Sequence, residues 1–171
     1  GPIFLHNLLQ SWANGEEIPP MTFVIAPLLN DDGWDKKKRT WRGVDLNRTF
    51  TDERKHSNPA IAALMKLLED NKPTLHWDIH EDSRYDHSWI FDYKRDKSDL
   101  AQRLANHLGV RVHPWDSLDG RESKGTSEWF ARKLKVPYVI TSETTPTWPM
   151  DKRLDWLRRI YEYLVTKIYN K

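Results

Sequence analysis

The sequence predicts an α/β fold with a mixed, mostly parallel sheet and helices on both of its faces. Short β-branched and aromatic runs predict strands, and stretches with apolar residues at helical spacing predict helices between them. Strands that alternate with helices are typical of layered sheets. A chain of 171 residues is long enough to bury its own core, so we expect residues 1–171 to form one domain.

The first part of the chain is predicted to contain one helix, one strand and a long loop. Apolar residues at helical spacing over residues 4–12 predict an amphipathic helix that ends at Asn14-Gly15. After two prolines, the β-branched and aromatic run over residues 21–26 predicts a buried strand. Residues 27–42 are predicted to form the loop.

The middle of the chain is predicted to contain two helices and two strands. Asn58-Pro59 is a typical helix start. The predicted buried stripe of that helix is Ile61, Leu64, Leu67 and Leu68. Residues 74–79 and 89–93 predict strands, and a helix over about residues 97–108 ends at Gly109, which suits a left-handed cap.

The last part of the chain is predicted to hold a loop, a short helix, a strand and a terminal helix. Residues 115–124 are polar and rich in turn formers, so they are a candidate mobile lid. Thr126 or Ser127 is expected to cap a helix through Lys133. Residues 136–141 predict the last strand, and the terminal helix begins near Asp151.

Charge and composition limit the classes of partner. The formal net charge is only +2, which argues against a nucleic-acid interface, and the basic run over residues 36–42 is interpreted as a solvated loop. No stretch approaches the length of a membrane span. Because the chain has no Cys, any metal site must use His, Asp and Glu side chains. Neither compartment nor oligomeric state is encoded in these features.

Polar residues within residues 43–50 are candidates for anion binding. Asp45, Asn47 and Arg48 alternate with the apolar Val44 and Leu46, a pattern that places the polar side chains together. The guanidinium of an arginine matches a carboxylate in shape, and an amide can add a donor beside it. This segment therefore predicts a site for a carboxylate.

Two further candidates, His80 and Glu143, each follow a predicted strand. In layered sheets, functional groups gather at the carboxyl ends of strands. His80 has acidic neighbours, and one of them, Asp78, could orient the imidazole and raise its basicity as a metal ligand. We expect residues 45–48, His80 and Glu143 to converge.

Together these stretches resemble the M14 zinc metallocarboxypeptidases. Residues 43–50 are similar to the Gly-Val-Asp-x-Asn-Arg-x-Phe signature of that family. Residues 77–80 are similar to the strand that ends in its third zinc ligand, and residues 138–143 to the strand that presents its catalytic glutamate. Residues 27–33 resemble its Pro-x-x-Asn-Pro-Asp-Gly turn, with Asp31 in place of proline. The resemblance implies a zinc-carboxypeptidase-like fold and a bound Zn²⁺.

The resemblance also implies roles at the reacting centre. Asn47 and Arg48 would hold the free carboxylate of the substrate, and His80 would bind Zn²⁺. Glu143 would take a proton from metal-bound water and pass it to the leaving amine.

Supporting roles follow from the same resemblance. Asp45 would hydrogen-bond the family's first His ligand. An arginine would polarise the scissile carbonyl and stabilise the developing oxyanion. Arg39 and Arg42 are both candidates for that arginine, and Lys38 competes with them on spacing.

The chain departs from the family pattern in two places. It contains no His-x-x-Glu pair, which supplies the other two zinc ligands in the family. By position the pair and the first strands would precede Gly1, so we expect the chain to correspond to the C-terminal two-thirds of such a catalytic domain. No Tyr lies between Tyr93 and Tyr138 to cover the substrate, and the loop at residues 120–125 is the candidate replacement.

The predicted function is therefore a zinc-dependent metallocarboxypeptidase that removes C-terminal residues from peptides. One alternative is a related zinc deacylase or amidase that acts on N-acyl amino acids or peptidoglycan peptides. Another is a non-catalytic module that binds carboxylates through Arg48. In all three cases the expected partner is a molecule with a free carboxylate, and neither a nucleic acid nor a membrane is expected.

Overall fold

A computed structural model describes residues 1–53, 58–83, 85–92, 99–114 and 124–169 of the chain. The helices within these ranges are α1 (Pro2–Ala13), α2 (Asp31–Asp35), α3 (Pro59–Asn71), α4 (Leu100–Leu108), α5 (Ser127–Lys133) and α6 (Met150–Tyr169), with a short 3-10 helix at Leu46–Arg48. The strands are β1 (Leu75–Glu81), β2 (Trp89–Asp92), β3 (Arg111–Pro114) and β4 (Tyr138–Thr144). Among the described helices, none is long and apolar enough to cross a membrane.

The four strands form one sheet in the order β1-β4-β2-β3. The β1/β4 and β2/β3 pairs are parallel, and the central β2/β4 pair is antiparallel. The sheet therefore has the predicted mixed, mostly parallel arrangement.

Helices cover both faces of this sheet, as predicted. On one face, α1, α4 and α6 pack around the fully buried Ile140 of β4. Val139, the next residue of the same strand, points to the opposite face and packs with Ala131 of α5. Successive side chains of a strand alternate between faces, so β4 contributes to two cores at once.

Helix ends follow the sequence signals. The Asn58 side chain accepts hydrogen bonds from the backbone N–H groups of Ala60 and Ile61, with Pro59 in the first turn of α3. Thr126 caps α5 by accepting from the Trp129 N–H. Gly109 ends α4 at a φ of 69°, in the left-handed region that favours glycine.

The predicted buried stripe of α3 is wrong at one position. The side chains that α3 buries are Ile61, Met65 and Leu68, whereas Leu67 is 44% exposed. Spacings of four and three residues keep the buried side chains on one face, and Leu67 lies off that face.

The strand predicted over residues 21–26 is wrong. Its side chains alternate between half-buried and exposed, as in a strand, but among the described residues no strand pairs with it. Its contacts are made by side chains instead, with the Phe23 ring 5.0 Å from the ring of Trp12 in α1. A period of two indicates an extended chain, whereas a strand also needs a neighbour to receive its backbone hydrogen bonds.

Other boundaries also differ from the prediction. The predicted loop over residues 27–42 contains the short helix α2, and β3 had no counterpart in the prediction because Arg111–Pro114 is short and lacks the apolar, aromatic run that marks β2. Strands β1 and β4 extend to Glu81 and Thr144, so His80 and Glu143 lie inside the strands rather than after them. Tyr93, the start of the helix predicted over residues 97–108, and nearly all of the candidate lid lie outside the described residues.

Candidate active site

The register of β1 and β4 brings chemically active side chains onto one face of the sheet. His80 is paired with Glu143, and Asp78 with Thr141. Partners in a parallel pair project to the same face, and so do residues two apart in one strand. These four side chains therefore share one patch of the sheet face that α5 covers.

The first turn of α5 adds two residues to this patch. Glu128 is buried, with its Oε1 accepting a hydrogen bond from Thr141 at 2.9 Å and lying 3.9 Å from Nε2 of His80. The Ser127 hydroxyl donates to Oδ2 of Asp78 at 2.5 Å and lies 3.1 Å from Nε2 of His76. The sequence analysis did not predict either residue as part of the site. Ser127 was considered only as a possible helix cap, and Glu128 fits an ordinary short helix. The signal in the sequence was Glu128, an acidic residue directly before Trp129 and Phe130 in the first turn of α5.

The segment that contains Asn47 meets the same patch. Its short 3-10 helix is capped by Asp45, whose carboxylate accepts from the Asn47 N–H. The Asn47 amide lies between two elements: its Oδ1 accepts from the Ser127 N–H at 2.9 Å, and its Nδ2 lies 3.4 Å from Nε2 of His80. Residues 47, 80 and 127, far apart in sequence, are thus in direct contact.

A close approach of two loops holds this segment in place. The Phe50 N–H donates to the carbonyl of Gly125 at 2.9 Å. Gly125 has a φ of +87°, and a Cβ at this position would lie 2.6 Å from the Arg48 carbonyl oxygen. Only glycine fits both requirements. The chain entering α5 and residues 47–50 therefore pack backbone against backbone.

Arg48 follows Asn47 in the chain, and part of its guanidinium has no carboxylate partner among the described residues. One of its terminal nitrogens donates to the carbonyl of Asn47 at 2.6 Å. Among the described residues, no carboxylate pairs with this half-buried side chain. The remaining N–H groups can therefore donate to a ligand.

The two candidates for the carbonyl-polarising arginine are placed differently. Arg39 makes a two-nitrogen pair with Oδ2 of Asp45, both contacts at 3.0 Å, and its side chain is 69% exposed. Arg42 is exposed and stacks over the Trp41 ring at 4.6 Å. Within the described ranges, neither guanidinium contacts His80. Lys38, the competitor on spacing, accepts a hydrogen bond from Asn30 through its backbone carbonyl.

Burial and neighbouring charges act in opposite directions on the half-buried His80. Burial disfavours the charged form of His80, but attraction to Asp78, whose Oδ2 lies 2.9 Å from Nε2, together with Glu128 and Glu143, raises the pKa of His80 to about 10. Burial opposes the charge of Asp78 as well, yet His80, His76 and the Ser127 hydroxyl bring the pKa of Asp78 well below its usual range. Without a metal, this site holds an imidazolium paired to a carboxylate at neutral pH.

Glu143 differs from Asp78 in the direction of its pKa shift. Burial, reinforced by the nearby acidic groups Asp82, Asp78 and Glu128 and opposed by His80, raises the pKa of Glu143 to about 7. Its Oε2 is buried and, within the described residues, has no hydrogen-bond partner. A carboxylate that titrates near neutrality and has a free oxygen suits proton transfer.

The donor set fits a divalent cation. Asp78, His80 and Glu128 each offer a ligand atom, and these atoms lie within 4.8 Å of one another. One imidazole with two carboxylates is a combination that Zn²⁺ accepts. Metal binding at His80 must displace its proton, because a ligating nitrogen needs its lone pair.

Residues 1–154 match the model of the succinylglutamate desuccinylase/aspartoacylase catalytic domain family. Because the match spans most of the chain, the protein belongs to this family, which lies among the metallopeptidase-like hydrolases. A comparison with curated proteins finds no match.

Solved structures support the same placement. A candidate metallopeptidase from Shewanella denitrificans has 18% sequence identity and a TM-score of 0.66, with 82% of this chain and 58% of that chain covered. Helicobacter pylori Csd4, a D,L-carboxypeptidase solved with mDAP bound, has 15% identity and a TM-score of 0.64, with 83% and 42% covered. The chain thus spans less than two-thirds of the length of either protein. Together with the family match, these similarities confirm the predicted zinc-carboxypeptidase-like fold.

Proposed function

We propose that this site hydrolyses the amide bond of an N-acylated amino acid that carries a free carboxylate, with the help of a bound Zn²⁺. The observation that carries the proposal is the contact between Asn47 and His80. It places a donor for the substrate carboxylate directly beside a candidate metal ligand. A substrate held by its carboxylate would present the neighbouring amide to the metal.

Asn47 and Arg48 would hold the carboxylate. The Oδ1 of Asn47 is occupied by the Ser127 N–H, so Nδ2 is the group that remains to donate. Arg48 adds the positive charge and the planar fork that suit a carboxylate. Together they would restrict cleavage to the residue that bears the free carboxylate.

His80 would hold the cation, with Asp78 and Glu128 as the nearest carboxylates. When bound, Zn²⁺ supplies a Lewis acid and lowers the pKa of a coordinated water to about 7.

Glu143 would act as the general base and acid. Its free Oε2 and raised pKa allow it to accept a proton near neutral pH and to return it to the leaving nitrogen. Of the two candidate arginines, Arg39 is better placed to assist, because Asp45 links it to the Asn47 backbone. Arg39 would release Asp45 and donate to the substrate carbonyl oxygen instead.

The acyl group distinguishes a deacylase from a carboxypeptidase. In both reactions the cleaved amide nitrogen belongs to an amino acid with a free carboxylate, and only the acyl portion differs. The matched family is described by a desuccinylase and an acylase, which favours a small acyl group. The second candidate, a metallocarboxypeptidase, is favoured by the resemblance of residues 43–50 to the M14 signature.

Hydrolysis of two matched substrate sets by the zinc-loaded protein tests this proposal. One set contains N-acetyl and N-succinyl amino acids, and the other contains N-blocked dipeptides with the same C-terminal residues. Faster cleavage of the first set indicates a deacylase, and faster cleavage of the second indicates a carboxypeptidase. Carboxylate binding without cleavage of either set would support a non-catalytic binding module instead.

A further inference from the structure

We propose that Ser127 is a positioning residue that orients both halves of the site, the Asn47 amide through its backbone N–H and the Asp78 carboxylate through its hydroxyl. The inference rests on the proposed function, which assigns carboxylate binding to Asn47 and metal binding to His80. The contacts of Ser127 with Asn47 and Asp78 do not depend on a substrate.

The backbone N–H determines which way the Asn47 amide faces. A side-chain amide has one acceptor oxygen and one donor nitrogen, and exchanging them reverses its chemistry. Because the Ser127 N–H donates to Oδ1 at 2.9 Å, the oxygen is held towards α5 and the nitrogen is directed towards His80. In a reversed amide, Nδ2 of Asn47 would face the Ser127 N–H, which is also a donor. Its oxygen, an acceptor, would then face the substrate carboxylate. The Ser127 N–H therefore selects the orientation that can bind an anion.

The Ser127 hydroxyl orients the Asp78 carboxylate. A serine hydroxyl carries one proton, and its contact of 2.5 Å with Asp78 is much shorter than its contact of 3.4 Å with Glu128. The proton therefore goes to Asp78, and the hydroxyl oxygen accepts from Nε2 of His76 at 3.1 Å. Asp78 in turn contacts Nε2 of His80 at 2.9 Å. The Ser127 hydroxyl thus fixes the Asp78 carboxylate, which in turn contacts His80, the candidate metal ligand.

The location of Ser127 makes both contacts available. It is the first residue of α5, and the first N–H groups of a helix have no partner within the helix. Thr126 already caps the helix at Trp129, so the Ser127 hydroxyl is not needed as a cap. The residue is only 4% exposed, so both groups are largely shielded from solvent.

Two substitutions separate the two contacts. Ser127→Ala removes the hydroxyl and keeps the N–H. Ser127→Pro removes both, and proline is well tolerated at the first position of a helix. The preceding Thr126 has φ −79° and ψ 161°, which is the conformation that a residue before proline requires. The proline Cδ also takes the place of the N–H hydrogen close to Oδ1 of Asn47, so Ser127→Pro displaces the amide as well as removing its donor, and Asn47→Ala tests the N–H contact alone.

The experiment combines ¹⁵N NMR with titration of N-acetylglycine as the carboxylate probe, and N-acetylglycinamide is the neutral control. In Ser127→Ala we expect the Asn47 side-chain amide signals to stay in place and the His76 and His80 ring-nitrogen signals to shift. Affinity for N-acetylglycine should stay within about threefold. In Ser127→Pro the Asn47 signals should also shift, and the affinity should fall by tenfold or more, as expected for a misdirected donor to a charged group.

Several outcomes would overturn the inference. It is wrong if Ser127→Pro folds with unshifted Asn47 signals and binds N-acetylglycine as the wild type does. It is also wrong if Ser127→Ala leaves the His76 and His80 ring signals unchanged. If no variant and no wild-type protein binds the probe, but the NMR shifts divide as expected, the positioning role stands and the proposed function fails.

A second variant keeps the test decisive if Ser127→Pro does not fold. Asn47→Ala removes the acceptor of the Ser127 N–H, so the exchange of that amide hydrogen should accelerate relative to the other first-turn amides of α5. Unchanged exchange at Ser127 would contradict the inference.

Discussion

The two sides of the site differ in how firmly they are held. On the Asp78, His80 and Glu128 side, which lies under α5, Glu128 is buried, Asp78 and His80 are half-buried, and hydrogen bonds hold the carboxylates. The Arg39 and Arg42 side is exposed, and each arginine is engaged with a neighbour in its own loop. The buried side is organised before any ligand arrives, whereas the arginine side must rearrange to reach one. Substitutions on the buried side should therefore have the larger effects.

The largest expected effect is on turnover when the buried base is removed. Glu143→Gln should lower kcat by about 10²–10⁴-fold, since it removes proton transfer while keeping the shape of the side chain. Zinc content should remain as in the wild type. Glu162→Gln, on the exposed face of α6, is the matched control and should leave kcat unchanged. Retained turnover in Glu143→Gln would remove Glu143 from the mechanism.

The next effect concerns carboxylate binding. Arg48→Ala should raise KM by about 10–100-fold, the range expected for loss of a hydrogen bond to a charged group. Added guanidinium should restore part of the affinity. A KM equal to that of the wild type, measured over a full substrate range, would show that Arg48 does not hold the carboxylate.

The same buried carboxylate predicts a pH-dependent change in stability. The pKa of Glu143 rises from 4.5 to about 7 on folding, so its contribution to stability is complete below pH 4.5 and is lost as the pH rises through 7. One pKa unit corresponds to about 1.4 kcal/mol, so metal-free Glu143→Gln should be more stable than the wild type by up to about 3 kcal/mol at pH 8.

Denaturant unfolding at pH 4 and at pH 8 measures this difference. The two proteins should be almost equally stable at pH 4, and Glu162→Gln should match the wild type at both values. Equal stability of Glu143→Gln and wild type at pH 8 would contradict the buried, unpartnered position of the carboxylate.

The smallest effects are expected on the arginine side. Arg42→Ala should change neither kcat nor KM appreciably, because its side chain only stacks on Trp41. Arg39→Ala should lower kcat by about tenfold with little change in KM, if it assists only once charge develops. Steady-state kinetics of both variants decide between them. A large loss in Arg42→Ala and none in Arg39→Ala would reverse the assignment.

The sequence predicted the buried side of the site better than the exposed side. His80 and Glu143 were expected together because parallel neighbouring strands bring their carboxyl ends to the same edge, and the β1/β4 register shows this pairing. Ser127 and Glu128 were not predicted, since nothing in a short capped helix reveals which strand it will cover.

The position of the arginine loop and the lack of strand pairing at residues 21–26 could not be predicted from the sequence, for different reasons. The pairing of Arg39 with Asp45 depends on the path of a loop, which Asn30 fixes through hydrogen bonds to the carbonyls of Lys38 and Arg39. The resemblance of residues 27–33 to a family turn predicts a turn there, but it does not show where the loop places Arg39. The segment over residues 21–26 has the period of a strand, but pairing depends on a neighbour and not on the segment itself.

Recognition of the substrate carboxylate at a zinc site can be measured by comparing acetate release from N-acetyl amino acids with release from the corresponding C-terminal amides. We expect the zinc-loaded protein to cleave the free acids, to leave the amides essentially untouched, and to lose this activity when the metal is chelated. Equal cleavage of acids and amides would contradict carboxylate recognition by Asn47 and Arg48. Cleavage that persists without metal would contradict the role given to His80.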